Sequence, residues 1–269
     1  MSELPTNHRP VTVPDFLSAR SRGVKLTMLT AYDYTSARLL DAAGIDSILV
    51  GDSLGMVIQG QPNSLTVTLD EVIYHTRCVS RGVRRALLAA DMPFMSYQIS
   101  PEQALANAGR IIQEGGAHAV KLEGGKRMAA TVAKIAQADI PVIGHVGLTP
   151  QSVHRFGGFR VQRDEQQLLE DAQAIAEAGA FALVLECIPA DIAARITKVL
   201  PIPTIGIGAG AGCDGQVLVL QDMLGMFEEL HPKFVKRYAE LGKALIAAAQ
   251  QYCEEVRSSV FPGPEHEFK

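Results

Sequence analysis

Ser47-Ile48-Leu49-Val50-Gly51-Asp52-Ser53 is a short apolar run that breaks at a glycine and ends on an acid and a serine. A run this short and this apolar reads as a strand buried on both faces, as in a parallel sheet covered by helices. The same phrase recurs down the chain. Leu87-Leu88-Ala89-Ala90 runs into Asp91, Ala119-Val120-Lys121-Leu122 into Glu123, Pro141–Gly144 into His145, and Ala182–Leu185 into Glu186. From the second strand to the sixth, each places an ionisable side chain at or beside its C-terminal end.

Working outward, eight such runs are expected as strands: Lys25–Ala31, Ser47–Val50, Ala86–Ala89, Ala119–Leu122, Pro141–Gly144, Phe181–Leu185, Pro203–Ile207 and Gln216–Val219. Segments of helical periodicity alternate with them at Thr35–Ala43, Leu69–Arg81, Pro101–Glu114, Gly125–Ala136, Glu165–Ala178 and Ala190–Val199. A short helix Pro14–Arg20 precedes the first strand, and a long helix Pro232–Val256 closes the chain. Ser100 before Pro101-Glu102 is a strong helix start, and Gly44, Gly115 and Gly179 sit where a left-handed helix end is wanted. β-then-α units of roughly 30 residues repeated eight times predict an α/β fold, a (β/α)8 TIM barrel over residues 1–269 as a single domain. An open doubly wound sheet is the structural alternative.

The 269 residues are 47% apolar and 20% charged, with net charge −4. That balance lacks the concentrated basic field of a nucleic-acid protein. No secretory signal or membrane-length apolar run is visible. Cys78, Cys187, Cys213 and Cys253 have neither pairing nor zinc-ligand spacing, which suits reduced thiols and a cytoplasmic setting. Cys187 reads as a small apolar side chain.

In a barrel, strand C-termini converge on one mouth, the face where the chemistry occurs. A single terminal acid could merely cap the next helix. Acids on four of five successive strands need something cationic among them, because burying unpaired carboxylates is costly. Asp52, Asp91 and Glu123 offer hard oxygen ligands, which favours Mg²⁺ over zinc. The alternative is a salt-bridge cluster neutralised by Lys121 and arginines. Lys121 and Glu123 are two apart on a strand and so face the same side, the barrel interior. Lys121 then either contacts a substrate carboxylate or balances charge. His145 stands open between a substrate contact and a hydrogen-bonded structural histidine, whereas His75, within a helix, reads as structural. The glycine-rich stretch from Val146 to Phe159 suits a mobile cover over the mouth. Glu186 follows four apolar residues, and desolvation there would raise its pKa toward the range of a general acid–base; a capping or salt-bridged glutamate is the opposing reading. The Gly206–Gly212 run is a poor dinucleotide fingerprint, since it follows the seventh strand and opens no helix. It reads better as a turn allowing close backbone approach.

Taken in order, Thr30–Tyr34 (T-A-Y-D-Y), Val50–Met56 (V-G-D-S-L-G-M), Ala90–Phe94 (A-D-M-P-F), Lys121–Gly125 (K-L-E-G-G), Gly144–Ser152 (G-H-V-G-L-T-P-Q-S), Leu185–Pro189 (L-E-C-I-P) and Ile205–Gly210 (I-G-I-G-A-G) resemble the ketopantoate hydroxymethyltransferase family. The resemblance runs from about Thr12 to Pro262. It implies a barrel of the phosphoenolpyruvate/pyruvate superfamily type, with Mg²⁺ held by Asp52, Asp91 and Glu123. It implies oxo-acid contacts at Asp52, Ser53, Asp91 and Lys121, with His145 nearby, and Glu186 as the proton-accepting glutamate. The expected reaction moves a one-carbon unit from 5,10-methylenetetrahydrofolate to 3-methyl-2-oxobutanoate, through a Mg-stabilised enolate, in pantothenate biosynthesis. A homo-oligomer, commonly a decamer, is expected as well. A lyase or mutase of the phosphoenolpyruvate-mutase and isocitrate-lyase kind is the enzymatic rival. The lyases of that kind call for a K-K-C-G-H type motif, which the chain lacks. A barrel that only binds metal and carboxylate is a second rival, and an NAD-dependent oxidoreductase a third.

Overall fold

The computed structural model describes residues 9–229 and 232–268, which group into two compact units that divide between Val219 and Leu220. In the first unit the apolar runs form eight strands: β1 Leu26–Thr30, β2 Ser47–Val50, β3 Leu87–Asp91, β4 Ala119–Glu123, β5 Val142–Gly147, β6 Ala182–Glu186, β7 Thr204–Ile207 and β8 Gly215–Leu218. Each pairs in parallel with the next and β8 pairs with β1, so the sheet closes into a barrel. The expected barrel is present, and the open sheet is not.

The helices are α1 Val13–Ala19, α2 Tyr34–Ala42, α3 Leu54–Val57, α4 Leu69–Ser80, α5 Pro101–Arg110, α6 Ala129–Ala136, α7 Val153–Phe156, α8 Glu165–Glu177 and α9 Ala190–Val199. Their starts follow local chemistry. Ser100 accepts from the Gln103 N–H at the head of α5, and Thr68 and Glu71 cap α4 reciprocally. The link from β7 to β8 carries no helix.

Period-two alternation separates two cores. Outward residues such as Ile48, Leu88, Val120 and Leu183 pack with Val72, Val132 and Ile175 from the helices. Inward residues such as Met28, Leu49, Leu87, Ala119, Ile143 and Val184 form a second cluster with Phe16 and Ala19 of α1. Phe16 meets Phe181 edge to face, 5.8 Å between ring centres.

The second unit holds α10 Leu220–Met223 and α11 Leu241–Arg257. The closing helix therefore begins at Leu241 rather than Pro232, the stretch after Pro232 being turn and irregular chain. After α5 the left-handed residue is Gly116 (φ 79°) instead of Gly115, because one π-helical turn, Ile111–Gly115, carries the chain a residue further. Gly44 and Gly179 are left-handed as expected. No helix among the described residues is long and apolar enough to cross a membrane.

Candidate active site

Strand register assembles the mouth. Asp91 stands opposite Lys121, Glu123 opposite His145, and Gly147 opposite Glu186. On β3, β4 and β6 the acids belong to the inward-facing set, with Ala89, Ala119 and Val184 two or four residues behind them. Asp52 and Ser53 follow β2 after Gly51, where a Cβ would lie 2.7 Å from the Ser53 hydroxyl, so glycine lets the turn tuck under the site.

The candidate residues lie at one mouth, four of them on β3–β5. Asp52, Asp91, Lys121, Glu123 and His145 are all buried. The Lys121 ammonium donates to Asp91 at 2.6 Å, and the other Asp91 oxygen accepts the Asp52 backbone N–H at 3.0 Å. His145 Nδ1 lies 3.6 Å from Glu123, and His145 Nε2 lies 3.2 Å from Glu186. Neither ring nitrogen is aligned for a hydrogen bond, and both are buried. Glu186 keeps 17% of its side chain exposed, so the desolvation expected from its apolar neighbours is incomplete. Ser53 follows Asp52, its hydroxyl 2.8 Å from that of buried Tyr32 and, with an Asp91 oxygen, against Gly51. His75 is structural, bonded through Nδ1 to the Tyr32 carbonyl at 2.7 Å.

Burial dominates the electrostatics. It raises Asp52 to about 7, with the charge of Asp91 adding to the effect. It lifts Glu123 well above the carboxylate range, with Asp52 adding. Burial opposes the charge of Lys121, yet Asp91, Glu123 and Asp52 together hold its pKa above the ordinary lysine value. His145 is pushed down by burial and then by Lys121, which keeps the imidazole neutral. Burial, with Glu186 adding, pushes the Cys187 thiol up to about 12, the state of an inert side chain rather than a nucleophile.

Three carboxylates, Asp52, Asp91 and Glu123, thus face the single ammonium of Lys121. Carboxyl groups whose ionisation burial opposes, together with all-oxygen donors, fit a hard divalent cation. Among the described residues, however, no three acid, histidine or cysteine side chains gather closely enough to hold an ion as they stand. What lies between Asp52 and Glu123 is Gln151, a residue that sequence reasoning passes over as part of a cover. That loop is shaped rather than structureless, with one 3₁₀ turn, Pro150–Ser152, leading into α7. Gln151 and its partner Tyr97, like Tyr32, are signalled only as polar residues in T-P-Q-S, beside A-D-M-P-F and in T-A-Y-D-Y.

The glycine run after β7 packs against α9. A Cβ on Gly210 would meet Ala190 at 2.5 Å and one on Gly212 would meet Ala194 at 2.8 Å. The close approach is real, but its partner is a helix of the same chain.

Residues 10–264 match the sequence profile of ketopantoate hydroxymethyltransferase. The chain belongs to that family. It is 57% identical over 263 residues to a 3-methyl-2-oxobutanoate hydroxymethyltransferase of Pelobacter propionicus, covering 97% of this chain and 98% of the other. It is 58% identical over 262 residues to that of Clostridium novyi, covering 96% and 95%. This ketopantoate hydroxymethyltransferase family member is therefore a transferase. Its fold is shared with phosphonopyruvate hydrolase in complex with oxalate and Mg⁺⁺, at a TM-score of 0.62 and 15% identity over 94% of this chain and 92% of that one. It is shared too with 2,3-dimethylmalate lyase, a PEP mutase/isocitrate lyase superfamily member (TM-score 0.63, 16% identity, 98% and 90%).

Proposed function

We propose that the chain transfers a hydroxymethyl group from 5,10-methylenetetrahydrofolate to 3-methyl-2-oxobutanoate, giving 2-dehydropantoate and tetrahydrofolate, in the synthesis of pantothenate. The observation that carries this reading is His145, buried between the acid cluster and Glu186, 3.2 Å from Glu186 and 3.6 Å from Glu123. A neutral imidazole there suits a small polar ligand better than a folded-state hydrogen bond.

Asp52, Asp91 and Glu123 are the residues that would hold Mg²⁺. When bound, the cation supplies positive charge against the keto and carboxylate oxygens of the oxo acid and favours loss of the C3 proton. Lys121 offers its remaining N–H donors to the same anionic groups, and His145 fixes the orientation of the oxo acid. Ser53 presents a hydroxyl, itself set by Tyr32. The C3–H bond breaks and C3 bonds to the methylene carbon. Both carbon–nitrogen bonds of that methylene are lost to the folate, and water supplies the new hydroxyl oxygen. Glu186, at the exposed side of the mouth, shuttles protons during the transfer.

The bulkier co-substrate needs its own space. Beside β4 and β5 lies a cavity of about 670 Å³ whose walls carry Lys126, Arg127, Arg155 and Phe156 along with Asp164 and Asp171, with Gly124 and Gly147 next to Glu123 and opposite Glu186. Its cations suit the glutamate carboxylates of a folate and its aromatic ring suits a flat ring system.

A homo-oligomer, decameric as the family resemblance implies, is part of the same reading, since Leu245, Ile246 and Tyr252 of α11 are all exposed. A cytoplasmic setting is supported by the four cysteines remaining unpaired.

Mass spectrometry of a reaction containing 3-methyl-2-oxobutanoate, methylenetetrahydrofolate and Mg²⁺ tests the proposal. Ketopantoate that disappears with EDTA supports reaction and metal together. Folded, metal-replete protein that makes no product sinks the transferase reading.

A further inference from the structure

Gln151 is buried at the centre of the mouth, and all four hydrogen-bonding capacities of its carboxamide are used. Its oxygen accepts from the Tyr97 hydroxyl at 2.7 Å and from Gln98 Nε2 at 3.0 Å. Its Nε2 donates to Asp52 Oδ2 at 2.9 Å and to the Met92 carbonyl at 3.0 Å. The Gln151 backbone N–H donates to Glu123 at 3.0 Å, and the Glu123 N–H returns to the Tyr97 hydroxyl at 3.2 Å.

The partners dictate the orientation. A main-chain carbonyl accepts only, so the nitrogen must face Met92, and with it Asp52. A carboxylate at this position would set oxygen against oxygen, and an apolar side chain would take the Nε2 donor from both Asp52 and the Met92 carbonyl. Only an amide satisfies every neighbour. The donated hydrogen bond fixes the position of Asp52 Oδ2.

We propose that Gln151 is a positioning residue that holds Asp52 and Glu123, through its side chain and its main chain respectively, in the arrangement from which they bind a divalent cation and the oxo acid. The inference rests on the metal reading given above. Outer partners of this kind typically carry about 10- to 100-fold in metal affinity or activity. The seating of the loop after β5 is thereby tied to the orientation of acids on two separate segments.

Gln151→Met keeps length and volume while removing the amide. Mn²⁺ affinity, read by electron paramagnetic resonance on the protein without substrates, is expected to fall about 10- to 100-fold. The KM for the oxo acid should rise in step, with the KM for the folate unmoved. Tyr97→Phe, which loosens the far end of the network while Gln98 still holds the carboxamide, should shift the same two readouts less. It serves alone if Gln151→Met does not fold.

A folded variant with unchanged Mn²⁺ affinity and oxo-acid KM overturns the role of Gln151. So does an equal rise in both KM values, the signature of general loosening. A wild-type chain that binds no Mn²⁺ overturns the metal reading itself, which distinguishes the two failures.

Discussion

The floor and the mouth of this barrel are built from the same strands and handle burial in opposite ways. At the floor the inward side chains Leu87, Ala119, Ile143 and Ala182 form one apolar cluster with Phe16 and Ala19. One or two inward positions further along, the same strands carry Asp91, Lys121, Glu123, His145 and Glu186. Apolar burial at the floor is favourable without a partner. Charge burial at the mouth is costly unless compensated; Lys121 pairs with Asp91, and burial raises the pKa values of Asp52 and Glu123. The difference teaches that the floor supplies stability, whereas the mouth holds acids whose ionisation burial opposes until a cation binds.

The sharpest way to break this contrast is Glu186→Gln, which keeps shape and removes the proton acceptor. Turnover should fall by about 10²- to 10⁴-fold, with Mn²⁺ and oxo-acid binding unchanged by calorimetry; unchanged turnover removes Glu186 from the chemistry. Lys121→Met strips the mouth of its ammonium. The metal-free protein should lose about 3–5 kcal/mol in denaturant unfolding, and added Mg²⁺ should recover part of it. A loss that Mg²⁺ does not touch would mean the cluster is purely structural.

Phe16→Ala tests the floor, with an expected cost of about 3–5 kcal/mol and no change in Mn²⁺ affinity. A coupled loss of both would erase the division between the two ends. The pH dependence has a definite sign. Asp52 is raised from 3.8 to about 7 and Glu123 is raised as well. Their contribution is therefore fully present below the unfolded carboxylate pKa and is lost as pH rises toward 7. Thermal scans of metal-free protein should show Tm falling between pH 5 and pH 8, with Mg²⁺ flattening the slope; a metal-independent slope counts against the cation. The smallest effect is expected from Arg127→Ala with Arg155→Ala, both at the exposed cavity. The folate KM should rise by a factor of about ten or less while the oxo-acid KM holds. An unchanged folate KM moves the co-substrate elsewhere.

Much of this is legible in the residues for local reasons. Apolar runs interrupted by glycine and ending on acids announce buried parallel strands, and period-two alternation alone places Lys121 and Glu123 on one side. Helix starts such as Ser100 follow from side-chain chemistry within four residues. Where local signals compete, sequence and structure part. Apolar periodicity suggests helix from Pro232, whereas the regular element waits until Leu241. The π turn before Gly116 moves a helix end by one residue.

By itself, then, the sequence determined the strand runs and the ionisable residues at their ends, because those depend on composition and spacing along one segment, while closure into a barrel rather than an open sheet rests on β8 pairing with β1. Tertiary structure alone decided that Asp91 pairs with Lys121, that His145 stands between Glu123 and Glu186 with its nitrogens unpaired, and that Gln151 fills the space between Asp52 and Glu123. Gln151 is 99 residues from Asp52 in the chain. Contacts across that separation are set by strand register and loop path, which no single stretch of residues encodes.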